Sequence, residues 1–181
     1  AAYLVRGDKR SLPLTPVRER REDVPPLVSV FIEQVCRMHN LQRLTIGDDA
    51  MAVTGYGFWR NYQTTVAVHP LSGSAFGLVL YQTAPDTGYR LECRSSADGQ
   101  PGTLQLFRDR SGQRDRLAHT RVTVQPDMWA RLTVAVLEGV ITVAVDDRRV
   151  LKVADPDPLP GGRTGLWVAG SAGVMFDDVE V

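Results

Sequence analysis

From Met128 to Val181 the chain alternates apolar and polar residues in short runs broken by turn residues. The runs are Trp129-Ala-Arg-Leu-Thr-Val-Ala-Val, Val140-Ile-Thr-Val-Ala-Val-Asp-Asp, Gly165-Leu-Trp-Val-Ala and Val174-Met-Phe-Asp-Asp-Val-Glu-Val. A period of two with one apolar face suits antiparallel strands that pack on a core on one side and meet water on the other. Glu138-Gly139 joins the first two runs so tightly that a two-residue hairpin is close to forced. Leu132, Val134 and Val136 should then face inward with Ile141, Val143 and Val145, leaving Arg131, Thr133 and Thr142 more exposed.

The pattern extends upstream. Strands are expected over 63–69, 75–82, 89–95, 103–108, 117–124, 130–137, 140–146, 149–153, 164–169 and 174–181. Turn signals separate them: Pro70-Leu-Ser-Gly, Pro85-Asp-Thr-Gly, Asp98-Gly, Ser111-Gly, Asp146-Asp and Pro158-Leu-Pro-Gly-Gly. Many short strands at regular spacing give an all-β fold, an antiparallel jelly-roll β-sandwich. The character changes before about residue 45. There Leu27, Val28, Phe31, Ile32 and Val35 fall at helical spacing after Pro25-Pro26, with Asp23 as a cap, and predict a helix over about 26–38. The expected organisation is an N-terminal arm, 1–43, with one short helix, followed by the sandwich, 44–181.

A chain of 181 residues can bury one substantial core with an appendage. Its net charge is zero, so no global field draws it to nucleic acid or an anionic membrane. No apolar run approaches the roughly 18 residues of a membrane helix, so no membrane insertion is expected. Cys36 and Cys93 read as separate thiols. The chain begins at Ala1 without an apolar leader, which reads as a fragment or processed form. No compartment is readable, although an extracellular or surface setting suits a recognition module.

Two resemblances follow from ordered motifs. Gly57-Phe-Trp-Arg-Asn-Tyr, Phe76-Gly-Leu-Val-Leu-Tyr, Gly88-Tyr-Arg-Leu, Trp129-Ala-Arg-Leu-Thr-Val, Ile141-Thr-Val-Ala-Val-Asp-Asp, Gly165-Leu-Trp-Val and Phe176-Asp-Asp-Val-Glu-Val stand in sequence from about residue 44 onward. Together they resemble the concanavalin A-like, or laminin G-like, lectin/glucanase jelly roll, which hosts lectins, glycosidases and adhesion modules. Separately, Leu14-Thr-Pro-Val-Arg-Glu-Arg-Arg-Glu-Asp-Val-Pro-Pro-Leu-Val and Phe31-Ile, within 11–59, resemble the late AAA+ region of NtrC-type enhancer-binding activators. That family expects Trp-Pro-Gly-Asn-Val-Arg where this chain has Trp59-Arg-Asn-Tyr-Gln, and no phosphate-binding Gly-x-x-x-x-Gly-Lys loop is present.

The glycosidase branch of the first resemblance implies a Glu-x-Asp-x-Glu strand, with carboxylates about 5–5.5 Å apart for retaining chemistry. The nearest match is Asp178-Val-Glu180, with Phe176 in the place of the first Glu and Asp177 on the opposite face. No catalytic residue is therefore assigned. His39, His69 and His119 lack metal-ligand spacing, and no metal ligand is assigned. Relatives of the fold hold structural calcium, for which the tandem acids Asp48-Asp49 and Asp177-Asp178 could supply oxygens. Glu92 between Arg90 and Arg94, and the charged run from Arg108 to Arg116, read as solvated charge.

Aromatic residues point to ligand binding, because sugars stack their C–H faces on aromatic rings. Tyr56, Phe58, Trp59 and Tyr62 cluster, and Tyr81 and Tyr89 follow in the next hairpin. The site is assigned to Trp59, Tyr62 and Tyr89, with Arg60 and Asn61 as hydrogen-bonding neighbours. Trp129 and Trp167 are expected to be structural. The function read from these features is non-catalytic recognition, foremost of a carbohydrate, with a partner protein as the second candidate. The alternatives are a structural or protein-interaction module of a larger assembly, and a glycoside hydrolase on the same fold.

Overall fold

A computed structural model describes residues 3–5, 11–13, 42–46, 49–169 and 173–181. The chain divides into two compact units, Ala1–His39 and Asn40–Val181. In the first, β1 (Tyr3–Val5) and β2 (Ser11–Pro13) pair antiparallel, with Leu4 opposite Leu12. The expected helix over about 26–38 lies outside the described residues.

In the second unit, the sequence runs β3 (Gln42–Ile46), β4 (Asp49–Thr54), β5 (Gln63–Pro70), β6 (Ala75–Ala84), β7 (Thr87–Arg94), β8 (Gly102–Arg110) and β9 (Gln113–Val122). It continues through β10 (Ala130–Leu137), β11 (Val140–Val145), β12 (Arg148–Ala154), β13 (Arg163–Val168) and β14 (Val174–Glu180). Two sheets form, ordered β12-β11-β10-β5-β14 and β3-β4-β13-β6-β7-β8-β9, and every pairing in them is antiparallel. All ten expected strands are present. β3 and β4 were not expected, and β3 starts at Gln42, ahead of the division read at residue 44.

The hairpin β10–β11 has the expected register, with Val134 opposite Val143 and Val136 opposite Ile141. Leu132, Val134, Val136, Ile141, Val143 and Val145 are all buried, and Arg131 is exposed. The turn holds because Glu138 and Gly139 both take left-handed φ, +48° and +77°, as a type I′ turn requires.

These side chains meet Phe76, Leu78, Leu80, Leu91, Leu104 and Leu106 of the seven-stranded sheet in one core. Burying each such side chain contributes about 1.5–3 kcal/mol. One polar bridge crosses the core. Thr164 Oγ1 donates to the Val79 carbonyl at 3.1 Å, which spends its only hydrogen, so Thr64 Oγ1 donates to Thr164 Oγ1 at 2.8 Å.

Trp167 is buried with Met51, Val53 and Val79, as expected. Trp129 departs from expectation and is 51% exposed. It precedes β10 by one residue, out of phase with the inward Ala130 and Leu132, and so points to the outer face.

A rigid aromatic loop as the candidate functional site

The loop between β4 and β5 carries the chain from one sheet to the other across one end of the sandwich. It opens at Gly55, whose φ is +94°. The Trp59 ring lies directly on this residue, and a Cβ there would sit 2.5 Å from Trp59 Cζ3. The Trp59 amide donates to the Tyr56 carbonyl at 3.2 Å, and the Trp59 carbonyl accepts from the Gly162 amide at 3.0 Å. Asn61 takes a left-handed φ of +52°; its amide donates to the Tyr81 hydroxyl and its Oδ1 accepts from the Glu138 amide, both at 2.9 Å. The Tyr62 carbonyl accepts from the Val136 amide at 2.9 Å. The loop is thus tied to β6, to the β10–β11 turn and to the segment ahead of β13.

Below the loop an aromatic ladder runs inward through Trp59, Tyr62, Tyr81 and Tyr89, with successive ring centroids 6.0, 5.4 and 5.9 Å apart. The Tyr62 hydroxyl donates to the Arg163 carbonyl at 3.1 Å and accepts from the Tyr81 amide at 2.9 Å. Tyr81 reaches the ladder because its left-handed φ of +51° interrupts the β6 alternation. At the inner end the Tyr89 hydroxyl donates to Asp155 Oδ2 at 2.8 Å and accepts from the Leu159 amide at 2.9 Å. Burial pushes the Tyr62 and Tyr89 phenols above their ordinary values, and for Tyr89 the Asp155 carboxylate adds to the rise.

Trp59, Arg60, Asn61 and Tyr62 therefore sit together on this loop, whereas Tyr89 lies beneath it. Arg60 is exposed. Tyr89 is wholly buried, so its ring offers no face to a ligand, and the place read for it at a platform is corrected to that of an internal strut. Asn61 and Tyr62 also spend polar groups on the fold. The exposed aromatic surface belongs to Tyr56 and Phe58, 63% and 75% exposed. Their rings stack at 5.3 Å and 12°, and Tyr56 meets Trp59 edge-on at 6.0 Å. The segment is a loop, so the two-face alternation of a strand does not divide these residues.

The charged segments are more ordered than their sequence suggests. Arg108 donates to Asp155 Oδ1 at 2.7 Å and to Asp115 at 3.0 Å, and the Asp155 side chain is fully buried. On the outer face of the seven-stranded sheet Arg114 bridges Asp109 at 2.7 Å and Glu92 at 3.2 Å, while Arg90 lies 5.4 Å over the Trp167 ring. Arg90 and Asp109 are buried, so this part is an inlaid charge network, whereas Arg94 and the turn residues Arg110 to Arg114 are exposed.

The acids at the C-terminal strand are set differently. Phe176 faces inward, its ring 6.4 Å from that of Phe76. Asp178 and Glu180 are exposed, and Asp178 stands at an irregularity with φ of +49°. Among the described residues no three His, Cys, Asp or Glu side chains come together as a metal site. Asp177 Oδ1 accepts from the Asp178 amide at 2.9 Å. Asp48 lies outside the described residues.

Solved structures share this two-sheet architecture. A carbohydrate-binding module, CBM66, from Bacillus subtilis superposes with a TM-score of 0.60 at 15% identity, covering 77% of this chain and 89% of that one. A tetrameric galectin from the ball sponge Cinachyrella sp. gives 0.53 at 15% identity, covering 78% and 98%. The Caenorhabditis elegans galectin LEC-6 gives 0.50 at 16% identity, covering 76% and 99%. At these identities the likeness establishes the sandwich fold. No protein-family model matches the chain. Over 44 residues, 24% of the chain, it is 48% identical to the nitrogen assimilation regulatory protein NtrX of Azorhizobium caulinodans, and the match spans 10% of that protein's length.

Proposed function

We propose that the unit Asn40–Val181 is a non-catalytic carbohydrate-recognition module of the concanavalin A-like kind, with the loop between β4 and β5 as its binding surface. The observation that carries this reading is the exposed Tyr56–Phe58 stack, braced by Trp59 and bordered by the exposed Arg60. Rigid aromatic rings offer contact area at low entropic cost, and a cationic donor beside them suits sugar hydroxyls. The structural neighbours named as a carbohydrate-binding module and galectins support the same class.

The test is a glycan array followed by titration of the best-bound glycan against wild type and Tyr56→Ala/Phe58→Ala. Both rings are exposed, so the double variant should keep its melting temperature and lose about tenfold or more in affinity. Retained affinity in the folded variant would place binding elsewhere. The protein-interaction alternative draws on the same exposed rings. It would be favoured by a silent array together with self-association that the double variant abolishes. EDTA in the binding buffer distinguishes a calcium-dependent form of recognition.

A further inference from the structure

The outer face of the five-stranded sheet carries a second group of residues with the chemistry of a sugar site. β5 lies between β10 and β14, with Val66 and Val68 inward and Thr65, Ala67 and His69 outward. The register aligns Arg131, Ala67 and Asp177 in one row across the three strands, and Met175 lies opposite His69 in the next. Trp129 joins that second row, its ring edge-on to His69 at 5.2 Å. The Thr65 and Thr133 hydroxyls, 3.2 Å apart, form the row beyond Ala67. Ala67 is therefore a low floor. Arg131 and Asp177 flank it at roughly 10 Å backbone separation, two strand spacings, and a half-exposed indole stands at one end.

The polar groups here are largely uncommitted. Among the described residues neither the Arg131 guanidinium nor the Trp129 indole nitrogen makes a hydrogen bond, and His69 Nδ1 is buried without a partner. Asp177 spends one oxygen on the neighbouring amide and keeps the other. Leu71, Met128 and Met175 are exposed nearby. Asp146 and Asp178 are also exposed close by, so the surface does not favour an anion.

We propose that this face binds one neutral saccharide residue, its C–H face on Trp129 and its hydroxyls between Arg131 and Asp177. The proposal rests on the reading of the unit as a carbohydrate module and gives it a second site. His69 stands about 20 Å along β5 from the loop at the strand's other end. Two sites on different surfaces would let one copy bridge two glycan chains, raising avidity without any new contact.

The sequence contains three tryptophans, and their indole N–H signals in a nitrogen-15 spectrum report on the faces separately. Trp129→Phe assigns the signal of interest. The protein is titrated with the methyl glycosides of glucose, galactose, mannose and fructose at millimolar concentrations, and with a panel of neutral oligosaccharides. The expected result is movement of the Trp129 signal that persists in Tyr56→Ala/Phe58→Ala. Asp177→Asn should weaken the affinity read from that signal by about tenfold without lowering the melting temperature, and Trp129→Ala should cut the saccharide-induced shifts of the Arg131 and Asp177 backbone amides by a similar factor. If saccharides shift loop amides while the Trp129 signal stays still, the second site is wrong and the carbohydrate reading stands. If neither surface responds, both fall. Movement of the Trp129 signal with protein concentration alone, and not with saccharide, would overturn the proposal in favour of a contact between copies.

Discussion

Tyr89→Phe removes a single oxygen atom and is expected to destabilise the sandwich by about 3–5 kcal/mol. The Tyr89 hydroxyl donates to Asp155 Oδ2 and accepts from the Leu159 amide, so both groups lose their partner at once. Asp155 is fully buried and keeps Arg108 and the Asp157 amide on its other oxygen, so its charge stays compensated and only one lone-pair site is orphaned. A charge-assisted hydrogen bond contributes about 1.5–3 kcal/mol, and a buried unsatisfied donor costs about 1–3 kcal/mol. The vacated space is the size of one oxygen, too small for a bridging water.

For a domain of this size the loss corresponds to a melting-temperature drop of about 9–15 °C. Urea denaturation should show a lower midpoint with an unchanged slope, since the surface exposed on unfolding is the same. Glycan affinity per folded molecule should not change, because the Tyr89 ring stays in the core. A midpoint within about 1 kcal/mol of wild type would refute the strut. A loss of affinity in the fully folded variant would return Tyr89 to the ligand.

Two further outcomes follow from the same ladder. Burial holds protons on Tyr62, Tyr89 and Cys93, the last pushed up to about 12, so unfolding releases protons above the ordinary values of 10.0 and 9.0. Stability is therefore full below about pH 8 and falls as pH rises, by about 4 kcal/mol between about pH 8 and about pH 10.5. Urea midpoints that stay flat over that interval would contradict this. Gly55→Ala forces a Cβ into the Trp59 ring at a left-handed φ, so it should cost about 2 kcal/mol and raise the solvent exposure of Trp59 in acrylamide quenching.

How much was legible depended on range along the chain. The strands came out because Val, Leu and Ile recur at period two over six to ten residues, a purely local signal. β4 escaped because Ala50 and Ala52 dilute its alternation, leaving Met51 and Val53, which share the outer face of the sheet with Trp167, as its only large apolar residues. Tyr89 could have been placed inside, since it is in phase with Leu91 and Cys93 while Arg90, Glu92 and Arg94 alternate with them. Its proximity to a turn outweighed that phase. Trp129 likewise shares the phase of Arg131. Other features could not be read locally. Arg108 meets Asp155 across 47 residues, and Asn61 meets Glu138 across 77. Asn61 and Glu138 meet because β5 and β10 are neighbours in one sheet, and Arg108 and Asp155 because the two sheets pack together.

Under the proposed function, the two candidate surfaces would meet the entropy cost of binding a sugar in different ways. In the loop, the Trp59 and Tyr62 carbonyls and the Asn61 amide are spent on neighbouring elements, and Asn61 spends its side-chain oxygen too. What remains for a ligand is ring area that is already fixed, so capture freezes little more of the chain. On the outer sheet face, the strand ladders hold the backbone while Arg131 and Trp129 keep their polar groups unspent. There a ligand gains hydrogen bonds but must order a long arginine side chain, a cost of about 0.5–1.5 kcal/mol. The loop should therefore give the tighter site and the outer face the weaker one. Bridging would then depend on the loop engaging first and holding the second chain at high effective concentration over the outer face.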